Sequence, residues 1–202
     1  TREIARSLSE ELAGLCTGVG PYSDFIDQRT NIDLGILRNP VSRVFSFHQM
    51  EGDPLLLAIA YTQVLTAIRR DALADDTPRV IAVDEVYRML RHPSLIDFLV
   101  EAAKTFRTRR KKLIVIDQQM SVFLEGKARL IYENCPVRVI FNQANGMGVF
   151  YEDRAFSHMN DFHKKLIRDL SRGHFLLDIT DGAIAYLHMR PSRAELARFG
   201  TS

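Results

Sequence analysis

Residues 79–119 read as strand, helix, strand, and that order restricts the fold more than any other stretch of the chain. The segment opens with Arg79-Val80-Ile81-Ala82-Val83, an apolar run rich in β-branched residues, and passes directly into Asp84-Glu85. Val86-Tyr87-Arg88-Met89-Leu90 makes a short turn. Pro93 and Ser94 then start a helix, with Asp97 in the capping-box position relative to Ser94. Leu95, Leu99, Ala102, Ala103 and Phe106 recur at helical spacing and predict its buried stripe. Arg107-Thr108-Arg109-Arg110-Lys111-Lys112 follows, at a helix end where the dipole favours cations. A second apolar run, Leu113-Ile114-Val115-Ile116, closes on Asp117-Gln118-Gln119. In a parallel sheet both strand tips share one edge, which is where open α/β sheets bind ligands.

The totals fit that reading. A chain of 202 residues is one domain, or one domain with an appendage, and buries a real core. Its 46% apolar and 26% charged content is ordinary for a globular protein, and a net charge of +2 marks neither a nucleic-acid coat nor a membrane-surface protein. Cys16 and Cys135 are isolated, which fits a reduced, cytosolic chain better than a disulfide scaffold. No apolar run reaches the roughly 18 to 20 residues that span a bilayer. The first residue is Thr1 rather than Met, so the expectation is a piece of something longer.

Outside the central stretch, residues 2–16 predict an amphipathic helix on Ile4, Leu8, Leu12 and Leu15, ended by Gly14, Gly18, Gly20 and Pro21. Gly14-x-x-x-Gly18-x-Gly20 lacks a following Lys-Ser or Lys-Thr and reads as a helix-ending loop. Residues 22–42 are irregular, and residues 41–47 alternate as a strand does. Asp53-Pro54 starts a helix that is apolar nearly all round up to residue 68. Residues 121–134 predict another helix, and residues 137–141 a strand after Pro136. Residues 142–148 read as a loop. Asn160 caps a helix to about residue 170, with Gly173 beyond its end. Residues 175–179 and 183–188 predict a hairpin across Thr180-Asp181-Gly182, and Ser192 with Glu195 opens a terminal helix as a second capping box.

An apolar strand ending in Asp84-Glu85 has the form of a Walker B element. In a phosphoryl-transfer ATPase such an Asp holds Mg²⁺ through its water shell and the following Glu polarises the attacking water. The competing account makes the two acids caps of the next turn. Gln119 is either a polar strand end or an amide that senses a γ-phosphate. For Arg107, Arg109 and Arg110 three accounts stand: solvated cations at a helix end, charge stabilisation at a phosphate in their own or a neighbouring subunit's site, or contact between residues 107–112 and DNA phosphates. His158, Asp161 and His163 straddle a helix start and read as surface residues rather than a metal site.

The ordered set Val80-Ile81-Ala82-Val83-Asp84-Glu85, then Arg107-Thr108-Arg109-Arg110-Lys111, then Leu113-Ile114-Val115-Ile116-Asp117-Gln118-Gln119 resembles one family. It is the C-terminal ATPase domain of the conjugation ATPases of type IV secretion systems, the VirB-four-type or TraC-like group of the HerA and FtsK class. Family members end the second strand in Thr-Gln, whereas Gln118 stands at the Thr here and Asp117 at the small residue before it. Tyr22-Ser23-Asp24-Phe25-Ile26-Asp27, Val44-Phe45-Ser46-Phe47 and Pro191-Ser192-Arg193-Ala194-Glu195-Leu196 also look like the family. The central forty residues carry the specific part. No Gly-x-x-x-x-Gly-Lys-Ser/Thr occurs in the chain, and in the family that loop lies upstream.

The resemblance implies a three-layer α/β fold. It would be a RecA-like P-loop core with a mainly parallel sheet, lacking the phosphate-loop strand and carrying a C-terminal antiparallel hairpin. It implies ATP and Mg²⁺ as cofactors, with Asp84 orienting the ion, Glu85 activating water, Gln119 sensing the γ-phosphate and Arg107, Arg109 or Arg110 stabilising charge. It further implies a homo-hexamer that meets other secretion components and lies in the cytoplasm, peripheral to the inner membrane. ATP hydrolysis by the longer protein would power substrate transfer or pilus assembly, while these 202 residues alone would turn over little or no ATP. The rival classes are a related DNA-translocating motor and a docking module that keeps the fold without the catalysis.

Overall fold

The computed structural model describes residues 42–50 and 52–199, together with residues 6, 9, 10, 12, 13, 15, 22 and 23. The expected N-terminal helix, the glycine loop after it and the irregular stretch to residue 41 fall largely outside the described residues. Two compact units divide the chain, Thr1–Asp75 and Asp76–Ser202.

Among the described residues of the first unit the main element is α1 (Pro54–Ala74). Asp53 caps it as its side chain predicts, with Oδ1 accepting the Leu55 and Leu56 N–H groups at 3.1 and 3.0 Å. The Tyr22 hydroxyl donates to Asp53 Oδ2 at 2.8 Å, and these bonds hold the carboxyl below its usual range. Residues 42–47 form no strand, contrary to their alternation, and a 3-10 turn follows at His48–Met50. A period-two pattern supplies a side chain for each face but not the neighbouring strand that a ladder requires.

The second unit is mixed α/β. Strand β1 (Arg79–Val83) pairs with β2 (Lys111–Val115) in parallel, from Arg79↔Lys111 to Val83↔Val115. Their crossover holds a 3-10 turn at Val86–Arg91, α2 (Pro93–Thr105) and a second 3-10 turn at Phe106–Arg109. Leu95, Leu99, Ala102 and Phe106 are buried as the helical spacing predicts, and Val100 joins them. The expected Ser94–Asp97 capping box does not form. His92 takes the N-cap and Pro93 the first helical position, while Asp97 pairs with Lys127 at 2.6 Å.

The single helix expected over residues 121–134 is two pieces, a 3-10 turn at Met120–Phe123 and α3 (Ala128–Asn134). Gly126 lies between them at φ 51°, a left-handed conformation that interrupts any right-handed helix. Beyond α3 come β3 (Val137–Ile140), α4 (Gly148–Glu152), α5 (Asp161–Asp169), β4 (His174–Ile179), β5 (Ile184–His188) and α6 (Arg193–Phe199). Asn160 caps α5 through His163 N–H at 3.0 Å, and the Ser192–Glu195 box closes at both of its bonds.

The hairpin β4–β5 forms as expected, but its left-handed turn residue is Asp181, at φ 58°, rather than Gly182. An Asp tolerates that region better than most residues, because its short polar side chain bonds locally. The sheet corrects the expectation of a mainly parallel one. Among the described residues the paired strands form one parallel pair, β1–β2, and one antiparallel sheet, β3–β4–β5.

The core of this unit gathers Val86, Met89, Leu99, Ile131, Ile140, Phe150, Phe156, Ile167 and Leu176, all essentially fully buried. Phe150 and Phe156 pack at 4.5 Å between ring centroids, and Tyr132 meets Phe156 edge-on at 5.9 Å. Burying each such ring is worth about 1.5–3 kcal/mol. Val80, Ile114, Val137 and Val139 on three strands, with Phe141 just past β3, stay about half exposed or more.

Candidate functional site

The register of β1 against β2 decides where the sequence-predicted residues meet. Because Val83 lies beside Val115, Asp84-Glu85 and Asp117-Gln118-Gln119 leave the sheet at the same edge. Two backbone bonds carry the pairing past the strand ends: Ile116 N–H donates to Val83 O at 2.9 Å and Val86 N–H to Ile116 O at 3.1 Å. The acids and the glutamine are therefore brought together, as the strand–helix–strand pattern predicts.

Local chemistry shapes that edge. The Glu85 backbone turns left-handed, at φ 50° and ψ 48°, a conformation that costs a residue with a Cβ about 1–2 kcal/mol. Its N–H is taken up by Asp84 Oδ1 at 2.9 Å. Its carboxylate pairs with Arg88 Nη2 at 2.9 Å, three residues on in the 3-10 turn. Arg88 also donates from Nε to the Tyr87 hydroxyl at 3.2 Å, and the Arg88 and Arg91 guanidinium groups flank the Tyr87 ring at 5.6 and 5.7 Å. The cation paired with Glu85 is thus Arg88, a residue that reads in the sequence as part of a turn. Its signal was the i, i+3 spacing from Glu85.

Asp117, which departs from the expected small residue, has a definite job. Its Oδ2 accepts Tyr87 N–H at 2.8 Å and its Oδ1 accepts Gln119 N–H at 3.3 Å, so one carboxylate ties the two strand tips together. The tip after β3 joins the same edge through Gln143. Its side-chain amide donates to Gln118 O at 3.0 Å and accepts from Met120 N–H at 3.1 Å. Asn142-Gln143 after an apolar strand repeats the pattern of Gln118-Gln119 after β2, and that repetition was the legible sign.

The basic run lies elsewhere. Arg107 and Arg109 sit in the 3-10 turn before β2 and Arg110 follows it left-handed at φ 57°, so all three stand at the N-terminal end of the strand. Five residues at about 3.3 Å each put roughly 13–17 Å between that end and the acidic tip. Arg109 approaches Asp76 at 3.6 Å, and Lys111 turns inward, buried, with Nζ donating to Thr77 O at 2.7 Å. These groups fasten the opposite edge of the β1–β2 pair, and Arg107, Arg109 and Arg110 do not reach the Asp84–Glu85 tip of their own chain.

What the edge can do chemically follows from its donors. Asp84 offers a carboxylate in an exposed position, a hard oxygen ligand of the kind Mg²⁺ takes one or two of while keeping its waters. Among the described residues no group of three His, Cys, Asp or Glu side chains is placed to cage a metal by itself. A Mg²⁺ at this edge would therefore draw on phosphate oxygens and water besides Asp84.

His158, set aside as a surface residue, lies 3.0 Å by Nε2 from Asp178 Oδ1. Asp178 is fully buried on β4 and also meets Arg138, its cross-strand partner on β3, at 3.2 Å. Arg138 stacks over the Tyr132 ring at 4.1 Å, and burial pushes the Tyr132 phenol up to about 12. Burial likewise raises the Cys135 thiol above its usual range, which makes it a poor nucleophile. Among the described residues, no helix is long and apolar enough to cross a membrane.

Comparison with known proteins adds the fold. No family model and no curated protein sequence matches the chain. Among solved structures, VirB4 of Thermoanaerobacter pseudethanolicus is similar over 96% of this chain, with a TM-score of 0.77 at 20% sequence identity. The match covers 52% of that protein, so the chain spans about half its length. The fold of this chain is VirB4-like.

Proposed function

We propose that this chain is the C-terminal part of a RecA-like type IV secretion ATPase, in which ATP hydrolysis powers substrate transfer or pilus assembly. The observation that carries the reading is the in-register parallel pairing of β1 and β2, which brings Asp84, Glu85 and Gln119 to one sheet edge. Likeness in fold to VirB4 supports the same class of function. Magnesium, when bound with ATP, would neutralise triphosphate charge and orient the γ-phosphate. Asp84 would hold a water of that ion by its carboxylate, which suits an exposed acid at a strand tip.

Glu85 polarises the attacking water, for which it must first leave the Arg88 pair seen at 2.9 Å. Gln119 hydrogen-bonds the γ-phosphate or the water through its side-chain amide. Arg107, Arg109 and Arg110, at the far edge, act on a neighbouring subunit's nucleotide in a homo-hexamer. An arginine supplied in trans is worth a factor of about 10³ to 10⁵ in rate. The assembly would work in the cytoplasm against the inner membrane, with other secretion components as partners.

Magnesium-dependent ATP hydrolysis by the full natural chain tests the reading, with Asp84→Ala beside the parent. The expected result is a loss of turnover of about 10²-fold or more that extra magnesium only partly restores. Parental turnover in the variant refutes the assignment of Asp84. Stimulation by double-stranded DNA that fades steeply with salt would instead favour a DNA-translocating motor.

A further inference from the structure

Gln119 is exposed, so its orientation depends on how firmly its backbone is held. Four bonds hold it, one of them from Val122 N–H to the Gln119 carbonyl at 3.4 Å. Its own N–H goes to Asp117 Oδ1 at 3.3 Å, and the two peptide groups on either side go to a single side chain, Gln143. Gln143 Nε2 donates to the Gln118 carbonyl at 3.0 Å, and Gln143 Oε1 accepts the Met120 N–H at 3.1 Å. A side-chain amide offers a donor and an acceptor in one plane at the end of one side chain.

The clamp is itself anchored. Gln143 N–H donates to Ile167 O at 3.4 Å, and Ile167 is fully buried in α5. Asn142 Nδ2 donates to Arg168 O and Leu170 O at 2.9 and 2.8 Å, and Gln143 Nε2 also reaches Asn142 O at 3.3 Å. The backbone around Gln119 is thus referred to the end of α5 through one residue.

We propose that Gln143 is a positioning residue that aims Gln119 at the triphosphate, an inference that rests on the ATPase reading above. It touches no substrate and acts through the two peptides that flank Gln119. Shortening the side chain by one methylene, as in Asn, leaves it unable to span both peptides. Replacement by Glu keeps the length and the acceptor for Met120 N–H but removes the donor to Gln118 O. Geometry at a reacting phosphate is sensitive: a displacement of about 1 Å costs on the order of 10² in rate.

Steady-state ATP hydrolysis by the full natural chain tests this, using Gln143→Leu, Gln143→Glu, Gln119→Ala, the Gln119→Ala/Gln143→Leu double variant and Glu85→Gln. The expected result for Gln143→Leu is a kcat lower by about 10- to 100-fold, with KM for ATP within about twofold of the parent. The double variant should be no slower than Gln119→Ala alone, because both changes disable one group. Should Gln143→Leu fail to fold, Gln143→Glu gives the same readout, a lower kcat at parental KM. A parental kcat in the Gln143 variants, or losses that multiply in the double variant, overturns the inference alone when Glu85→Gln and Gln119→Ala are slow. Parental rates in Glu85→Gln and Gln119→Ala overturn the ATPase reading and the inference with it.

Discussion

Asp178 shows how much a single buried carboxylate carries here. It meets two partners, the Arg138 guanidinium at 3.2 Å and the His158 ring at 3.0 Å, from a buried position. Removing one member of a buried pair leaves the other uncompensated, so Asp178→Ala should destabilise the second unit by about 3–5 kcal/mol in urea unfolding. His158→Ala should cost much less, because that ring is 44% exposed. Asp153 sets a separate pH dependence. Two bonds from Arg129 and one from Ala155 N–H hold its carboxyl below the ordinary value. A depressed folded pKa contributes stability that is fully present above the unfolded value near about 4 and is lost as pH falls through the folded value. Asp153→Asn should therefore flatten the acid limb of a thermal-melt series below about pH 4 and lower stability at neutral pH.

At the level of elements, some of the structure was plain in the sequence and some was not. β1 and β2 were legible because β-branched runs ending in polar residues leave little choice, and the helix between them fixes their parallel sense. Capping at Asp53, Asn160 and Ser192 was legible from residue type alone. The direction of β3 was not, since nothing in Val137–Ile140 says which neighbour it pairs with. The break at Gly126 was hidden because a lone glycine reads equally as a tolerated helix residue. Gly126→Ala tests that point. A Cβ there meets nothing within 4 Å, so the cost is backbone strain alone, about 1–2 kcal/mol, readable as a shift in urea midpoint. Of the site, Asp84, Glu85 and Gln119 were legible as a set, Arg88 and Gln143 left only the weak signs of an i, i+3 spacing and a repeated amide pair, and the role of Asp117 emerged from tertiary contact. Asp117→Ala should separate the β1 and β2 tips, lowering stability by about 1–3 kcal/mol and slowing turnover as well.

For the whole molecule the consequence lies in the two opposite edges of the β1–β2 pair. One carries Asp84, Glu85 and Gln119, and the other carries Arg107, Arg109 and Arg110. On the proposed reading, a subunit built this way would supply acids to one nucleotide and arginines to the next. A variant with all three arginines changed to Ala should be inactive alone yet regain part of its turnover when co-assembled with Glu85→Gln subunits. No recovery on mixing would argue against arginines acting between subunits. These 202 residues alone contain no phosphate-gripping Gly-Lys-Ser/Thr loop and should show no magnesium-dependent turnover above background. The most direct measurement is the ATP hydrolysis rate of the full natural Glu85→Gln chain at saturating nucleotide. The account predicts a fall of about 10²-fold or more with ATP still bound; hydrolysis at the parent's rate would contradict it.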